Sequence, residues 1–353
     1  MILQRYISKT IITSTLLVLL VLLALYTFMD FIAELDDLGE GSYGLIQILS
    51  YLAMTMPKRI YELLPIAALL GSVLGLGTLA SQSELVAMRA AGVSVGAINK
   101  AVMFVALVLL VAALFVGEVL RPIAEQKAMS LQNLAKTGTE GAQSEYGFWT
   151  RDGEHFNHIE RIHSDGRFEG IKIYEFDESH QLRMVTRAAS ARYDEGEWEL
   201  SDVVQSQIDK AGIEVRSIAR AKWRSRLNPG MLNIVVVPPE FLPVWSLLDY
   251  VSYLKENHQA VSQYQLAFWS KVMMPLSSAV MVFLAVPFIF GPLRSSPVGA
   301  RILAGALVGI GFHLFNQTFQ HIGLVYGVLP WLAASLPTII FAIIGIVMIR
   351  RVR

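Results

Sequence analysis

Gly92-Val93-Ser94-Val95-Gly96 has the G-x-S-x-G spacing of a nucleophile elbow, the stretch whose residue types come nearest to a hydrolase site. Such an elbow needs a strand before it, so that a strained turn lifts the serine toward a histidine base. A helical pattern at 83–91 precedes this serine, and no histidine stands in the loops on its side of the membrane. Without a base the triad chemistry fails, and the segment reads as a loop between two helices. His155, His158 and His163 are close in sequence, but positions 155 and 158 of a strand face opposite sides, which favours plain polar surface over metal binding. His313 and His321 lie in or at the end of an apolar run, where an ionisable group is a functional candidate. A neutral His313 bonded to a neighbouring helix is preferred to a proton relay. Zero cysteines exclude a disulfide scaffold, a thiolate zinc site, iron–sulfur ligation and a cysteine nucleophile. No G-x-x-x-x-G-K-[ST] occurs, and no acid lies inside an apolar run, Glu118 standing at the outer end of the third. The chain therefore carries neither a P-loop nor the mid-membrane carboxylates of an ion-coupled carrier. Uphill movement must draw its energy from another chain.

Residues 83–92, Ser-Glu-Leu-Val-Ala-Met-Arg-Ala-Ala-Gly, read as a short helix. Ser83 or Ser81 can cap its start, Glu84 suits the positive helix end, and Gly92 permits the C-terminal turn. The pattern predicts that Leu85 and Met88 are exposed beside Glu84 and Arg89. The plain interpretation is an interfacial helix. The functional one is a rigid helix that docks into a groove of a cytoplasmic motor subunit, with apolar knobs and charged register pins.

The elements that position these residues are set by composition. The 353-residue chain is 54% hydrophobic and 16% charged, well below the quarter typical of soluble domains, so it reads as a membrane protein. Twenty-nine basic residues balance 29 acidic ones, which excludes a nucleic-acid binder dependent on excess cations. Apolar runs long enough to span lie at 11–29, 63–80, 101–117, 268–290, 302–320 and 329–349. The first reads as an uncleaved anchor, and 45–56, closed by Pro57, as a separate interfacial helix. Between the third and fourth runs, residues 121–265 carry 17 of the basic and 21 of the acidic residues. Ile171/Ile173, Leu182/Met184, Trp198/Leu200 and Ile213/Val215 alternate, and Asp152-Gly153 and Asp194-Glu195-Gly196 punctuate them as turns. Eight to ten strands in an antiparallel sandwich or open jelly roll are expected, linked to the membrane by amphipathic helices at 121–136 and 246–258. The fold class is thus a six-span, three-plus-three helical membrane protein with an inserted β domain, divided at 1–120, 121–265 and 266–353.

Loop charge orients it. Arg5, Lys9, Arg89, Lys100, Arg294, Arg301, Arg350, Arg351 and Arg353 share one set of segments with a single acid, Glu84. Asp30, Glu34, Asp36, Asp37, Glu40 and Glu62 share the other with Lys58 and Arg59. The positive-inside rule puts both termini in the cytoplasm and the β insertion outside. Gly71-x-x-x-Gly75-x-Gly77 and Gly305-x-x-x-Gly309-x-Gly311 allow close helix approach, within the chain or between subunits. Pro275, Pro287 and Pro337 are expected to kink their spans.

The glycine run 71–77, the Ser83-Glu84-Leu85-Val86-Ala87-Met88 helix and Gly92 resemble the LptF/LptG family of lipopolysaccharide-export ABC permeases. So does Phe288-Ile289-Phe290-Gly291-Pro292-Leu293-Arg294-Ser295. Trp269-Ser270-Lys271 and Leu324-Val325-Tyr326-Gly327 are more similar to the LptG branch than to the LptF branch. The resemblance covers essentially the whole chain. It implies a heterodimer with an LptF-like permease on an LptB-like ATPase dimer, which binds ATP and magnesium, with an LptC-like membrane-anchored protein alongside. It also implies extraction of lipopolysaccharide from the outer leaflet of a Gram-negative inner membrane, and transfer through jelly-roll domains to an LptA-like periplasmic bridge. This chain would be non-catalytic, with Glu84, Leu85, Met88, Arg89 and Gly92 on its coupling helix. Acyl chains would sit among apolar side chains of spans one, two and five, Phe28, Phe31, Leu63 and Phe312 among them. Asp30, Glu34, Asp36 and Asp37 depart from the basic character that LptG relatives often have there, so Lys58 and Arg59, then Arg121 and Lys127, are the expected phosphate contacts. Two other classes remain open: a mechanotransmission protein whose ATPase works the periplasmic domain without cargo in the spans, and a membrane-anchored scaffold that only binds a periplasmic partner.

Overall fold

The computed structural model describes residues 2–138, 142–152, 155–163, 166–177, 181–194, 197–209, 212–223, 225, 238–257, 259–290 and 296–351. They form two compact units. The first comprises residues 1–36, 48–125 and 262–353, and the second 37–47 and 126–261.

The first unit is helical: α1 (Ile2–Glu34), α2 (Leu45–Ser81), α3 (Glu84–Ala90), α4 (Val95–Phe115), α5 (Arg121–Thr137, which continues into the second unit), and, after the insertion, α7 (Ser262–Phe290), α8 (Val298–Val325) and α9 (Pro330–Arg351). Among the described residues six helical segments are long and apolar enough to cross a membrane. Their outward faces stay apolar, as Leu17, Leu20 and Val21 of α1, Leu303 and Leu307 of α8 and Ile343 of α9 show. A bundle whose solvent is hydrocarbon has no reason to turn polar groups outward.

The separation of 45–56 from the second span is corrected: Pro57 and Pro65 lie inside one continuous helix, α2. Proline removes a backbone donor but does not end a helix whose neighbours hold it in place. Thr55 Oγ1 also donates to the Leu52 carbonyl at 3.1 Å, close to the gap. The third span likewise runs on: a π-helical turn, Val116–Leu120, joins α4 directly to α5.

Both glycine motifs work inside the chain. A Cβ on Gly71 would strike the Cα of Thr15, and one on Gly75 would lie 3.0 Å from the Cα of Ile11, so α2 meets α1 backbone to backbone. From the other side, Gly305 receives Leu70 and Gly309 receives Ile66, which seats α8 on α2. Ser8 Oγ ties α1 to α4 by donating to the Ala101 carbonyl at 3.2 Å.

The second unit is built on one antiparallel sheet of six strands in sequence order: β1 (Ala142–Asp152), β2 (His155–Ile162), β3 (Phe168–Phe176), β4 (Leu182–Asp194), β5 (Glu197–Asp209) and β6 (Gly212–Trp223). Six strands are described; the runs Ile171/Ile173, Leu182/Met184, Trp198/Leu200 and Ile213/Val215 fall on β3, β4, β5 and β6 in turn, and β4 and β5 each run 13 residues. One face is buried along the row Ile159, Ile171, Ala188 and Val203, which pair in succession. At Asp202, which takes φ 53°, the buried positions change phase from Trp198 and Leu200 to Val203. On the exposed side His163 and Arg161 hold the Glu169 carboxyl below the usual carboxylate range, the His163 hydrogen bond contributing most. Helix α6 (Val244–Glu256) turns Leu247, Tyr250, Val251 and Leu254 inward. Gly153 and Glu195-Gly196 of the expected turns, and the Gly291–Ser295 block, lie outside the described residues.

The α1–α2 seam should not tolerate bulk. Gly71→Val is expected to destabilise the bundle by about 1–3 kcal/mol, the cost of overpacking a tight contact. Gly311→Ala, whose Cβ meets nothing within 4 Å, should stay within about 0.5 kcal/mol of the parent protein in the same detergent-unfolding assay.

Candidate functional site

Two places on the helical unit bring chemistry-bearing residues together. One is α3. Its C-terminal turn is a Schellman motif: the Gly92 amide donates to the Arg89 carbonyl and the Val93 amide to the Met88 carbonyl, both at 3.0 Å. Gly92 takes φ 88°, which a glycine adopts without penalty. At the start neither expected serine caps the helix. Ser83 is left-handed, with no side-chain cap bond, and Ser81 Oγ donates back to the Thr78 carbonyl. The expected exposure of Leu85 is also corrected. Leu85 is 3% exposed and Met88 half-buried, both packed into the bundle core, because a seven-residue helix needs an anchor to hold its orientation. The outward face is instead Val86, Ala87, Arg89 and Ala90. Glu84 is half-buried and accepts a hydrogen bond from Tyr6 Oη at 3.2 Å, pinning α3 to the start of α1. Ser94 of the G-x-S-x-G stretch is the N-cap of α4, where its Oγ accepts from the Ala97 amide at 3.2 Å.

The other place is a charged cluster where α1, α2, the π turn, α5 and α7 meet. Arg59 reaches Asp30 with a bidentate fork, Nε to Oδ2 at 2.7 Å and Nη2 to Oδ1 at 2.8 Å, and touches Glu62 at 3.1 Å. Glu62 also faces Arg121 at 3.9 Å, and Lys58 pairs with Glu125 at 3.3 Å. Arg121 lies over the ring of Tyr61, 5.4 Å from its centroid. Tyr61 Oη in turn donates to the Lys271 carbonyl at 3.2 Å, while Lys271 Nζ pairs with Glu118 at 3.3 Å. Three of the four cations expected to meet phosphate, Lys58, Arg59 and Arg121, thus stand in one cluster, each facing a carboxylate. The fourth, Lys127, is exposed on α5.

The apolar residues are dispersed. Phe28 is 62% exposed and Phe31 half-buried on α1, whereas Leu63 and Phe312 lie in the bundle core, Phe312 edge-on to Phe341. Among the histidines, His155 faces Glu175, His158 lies against Trp149, and His163 bonds to Glu169, so the three do not converge. His313 is half-buried and His321 exposed on α8.

Sequence reasoning passed over Lys271, whose side chain is 4% exposed. A signal for it existed. Lys271 is a lone base inside one apolar run, and Glu118 is the lone acid near another, so each was the natural complement of the other. Arg301, counted only toward loop charge, is 5% exposed and donates to the Gly77 carbonyl.

Breaking the Lys271–Glu118 pair leaves a buried charge uncompensated. Lys271→Ala should therefore cost about 3–5 kcal/mol in an unfolding titration. Lys271→Met combined with Glu118→Leu should recover most of the loss, and equal loss in single and double variants would contradict this account.

The family model for the lipopolysaccharide export system permease LptF/LptG matches residues 5–351. The LptG permease protein of Escherichia coli K12 is 37% identical over 353 residues, covering 99% of this chain and 98% of its own length. The LptG protein of Haemophilus influenzae is 37% identical over 343 residues, 97% of this chain and 96% of its own. Likeness to the LptF protein of Escherichia coli K12 is 30% over 106 residues, 30% of this chain and 29% of that protein. Near-complete coverage by the family model, with full-length likeness to LptG proteins, places this chain in the lipopolysaccharide export system permease LptF/LptG family.

Proposed function

We propose that this chain is the LptG-type permease subunit of an ABC exporter that extracts lipopolysaccharide from the outer leaflet of the inner membrane. The full-length likeness to LptG proteins carries this reading. Its partners are an LptF-like permease, an LptB-like ATPase dimer that binds ATP and magnesium, an LptC-like protein and an LptA-like periplasmic bridge. Both termini and α3 face the cytoplasm, as the loop charges require. The six-stranded sheet belongs to a periplasmic jelly roll occupying 121–265, between spans at 1–120 and 266–353.

α3 is the coupling helix. Leu85 and Met88 act from beneath as its anchor, Gly92 sets its exit, and Glu84 and Arg89 meet the ATPase groove. Lipid enters against apolar side chains of spans one, two and five. Lys58, Arg59 and Arg121 take its phosphates by exchanging carboxylate partners for phosphate oxygens, and Lys127 extends the cationic rim. Exchange suits a carrier that must also let go, because cations already satisfied by acids bind phosphate with a reduced net gain.

Two variants test the coupling role. Glu84→Ala is expected to keep the fold but lose most of the co-purifying ATPase in mild detergent. Tyr6→Phe removes the hydrogen bond yet keeps the acid and should retain the ATPase. Full ATPase association and full transport in Glu84→Ala would sink the assignment. For the rim, Asp30→Asn should leave Arg59 with Glu62 as its remaining carboxylate partner and increase the lipopolysaccharide retained on the purified complex. Unchanged or lower retention would argue against partner exchange.

A further inference from the structure

Helix α8 is mostly exposed, and its buried residues include Arg301, Gly305, Gly309 and Phe312. The first three are spaced by four and form one stripe along the helix. Opposite them on α2 stand Gly77, Leu70 and Ile66 in antiparallel order. The two glycines in the stripe explain close packing, but the arginine needs its own account. A guanidinium drawn into a membrane bundle is costly and persists only where something specific holds it.

One such hold is the Gly77 carbonyl, to which Arg301 Nη1 donates at 2.6 Å, a short charge-assisted bond. Gly77 is the third glycine of Gly71-x-x-x-Gly75-x-Gly77, and α1 packing accounts only for the first two. A Cβ at position 77 would lie 3.1 Å from Arg301 Nη1, 3.4 Å from its Cδ and 3.7 Å from Ile289 Cδ1 of α7. Glycine is therefore what lets the guanidinium lie against α2.

The placement matters because Gly77 lies four residues before the end of α2, and α3 begins three residues beyond that end. The link between them has no slack. The Gln82 amide donates to the Thr78 carbonyl, the Ser83 amide to the Ala80 carbonyl, and the Ala87 amide to the Ser83 carbonyl. A displacement of α3 is delivered to the last turn of α2, whose negative dipole end also favours the cation. Bonding to a backbone carbonyl, rather than to a side chain, ties Arg301 to the helix itself.

We propose that Arg301 is a positioning residue that transmits movement of α3, through the Gly77 carbonyl, to α8 and so couples the ATPase stroke to the lipid-facing helices. This rests on α3 being the ATPase contact.

The test uses the whole complex, purified with its partner permease and ATPase and placed in nanodiscs with lipopolysaccharide. Lipopolysaccharide released is measured per ATP hydrolysed. Because the chain has no cysteine, Ala90→Cys on α3 and Ile310→Cys on α8 can also carry spin labels that report the α3–α8 distance with and without nucleotide. Arg301→Gln is expected to assemble and hydrolyse ATP, but to release about tenfold less lipid per ATP, the scale of one lost charged hydrogen bond. Its nucleotide-dependent distance change should disappear. Arg301→Lys should restore part of both, and Gly77→Ala, which only crowds the guanidinium, should give a milder form of the same defect. Wild-type release per ATP with an intact distance change in Arg301→Gln overturns the proposal. So does a uniform fall in thermal stability across the three variants with normal release per ATP in the assembled fraction. Absence of the ATPase from the wild-type complex would overturn the functional reading itself, whereas an unaffected Arg301→Gln in a coupled complex overturns only the transmission role.

Discussion

The approach of α1 to α2 at Gly71 leaves no space for a methyl group, and the helical unit is organised around that contact. In hydrocarbon there is no hydrophobic drive to press helices together, so close packing and internal polar bonds must do it. α2 answers with glycines on the side that meets α1, and with Leu70 and Ile66 on the side that fills the glycine gaps of α8. Near the π turn the relation reverses, and Tyr61 of α2 lies flat on Gly117. Each neighbour of α2 is thus fixed at a different height by a small residue on one side and a large one on the other.

The charges obey the same economy. Asp30, Glu62, Glu118 and Glu125 each face a cation from another helix, so the cluster is neutral overall although every member is ionisable. A buried ion pair adds little net stability over apolar packing. What it offers is specificity: Lys271 reaches both Glu118 and the Gly117 carbonyl of the π turn, which fixes the rotation of α7 against that turn. The half-exposed members differ. Arg59 and Lys58 keep roughly a quarter of their side-chain surface accessible, whereas Lys271 keeps 4%.

Span number, the insertion and the helices flanking it were legible because membrane thickness and amphipathic period impose lengths and spacings on the residues. The short helix at 83–92 was legible for the same reason. Its orientation was not. Leu85 and Val86 are equally apolar, and only the core beneath decides which is anchor and which is surface. The continuity of α2 through Pro57 was hidden because proline signals a helix end in water, whereas here neighbouring helices hold the chain on course. Alternation marked the described strands one by one, each quoted run falling on its own strand, but it does not give a strand's length, which reaches 13 residues in β4. The pairing of Arg59 with Asp30 joins residues 29 apart, a relation that follows from helix packing rather than from any local pattern.

α2 also relates the two functional places by simple geometry. From Arg59 to the helix end at Ser81 is 22 residues, about 33 Å at 1.5 Å per residue, close to the thickness of a bilayer core. The charged cluster and α3 therefore stand about one bilayer-core thickness apart along a single helix. Under the proposed coupling, a displacement at α3 would reach the cluster along α2, which the glycine seams clamp against α1 and α8. Partners that grip the helix through its backbone, as Arg301 does at Gly77, must move with it. Partners that grip it through exchangeable ion pairs, as Asp30 does at Arg59, can let it pass. On the proposed mechanism, the division between fixed and exchangeable contacts along α2 would allow one helix to be both the core of the bundle and its moving part.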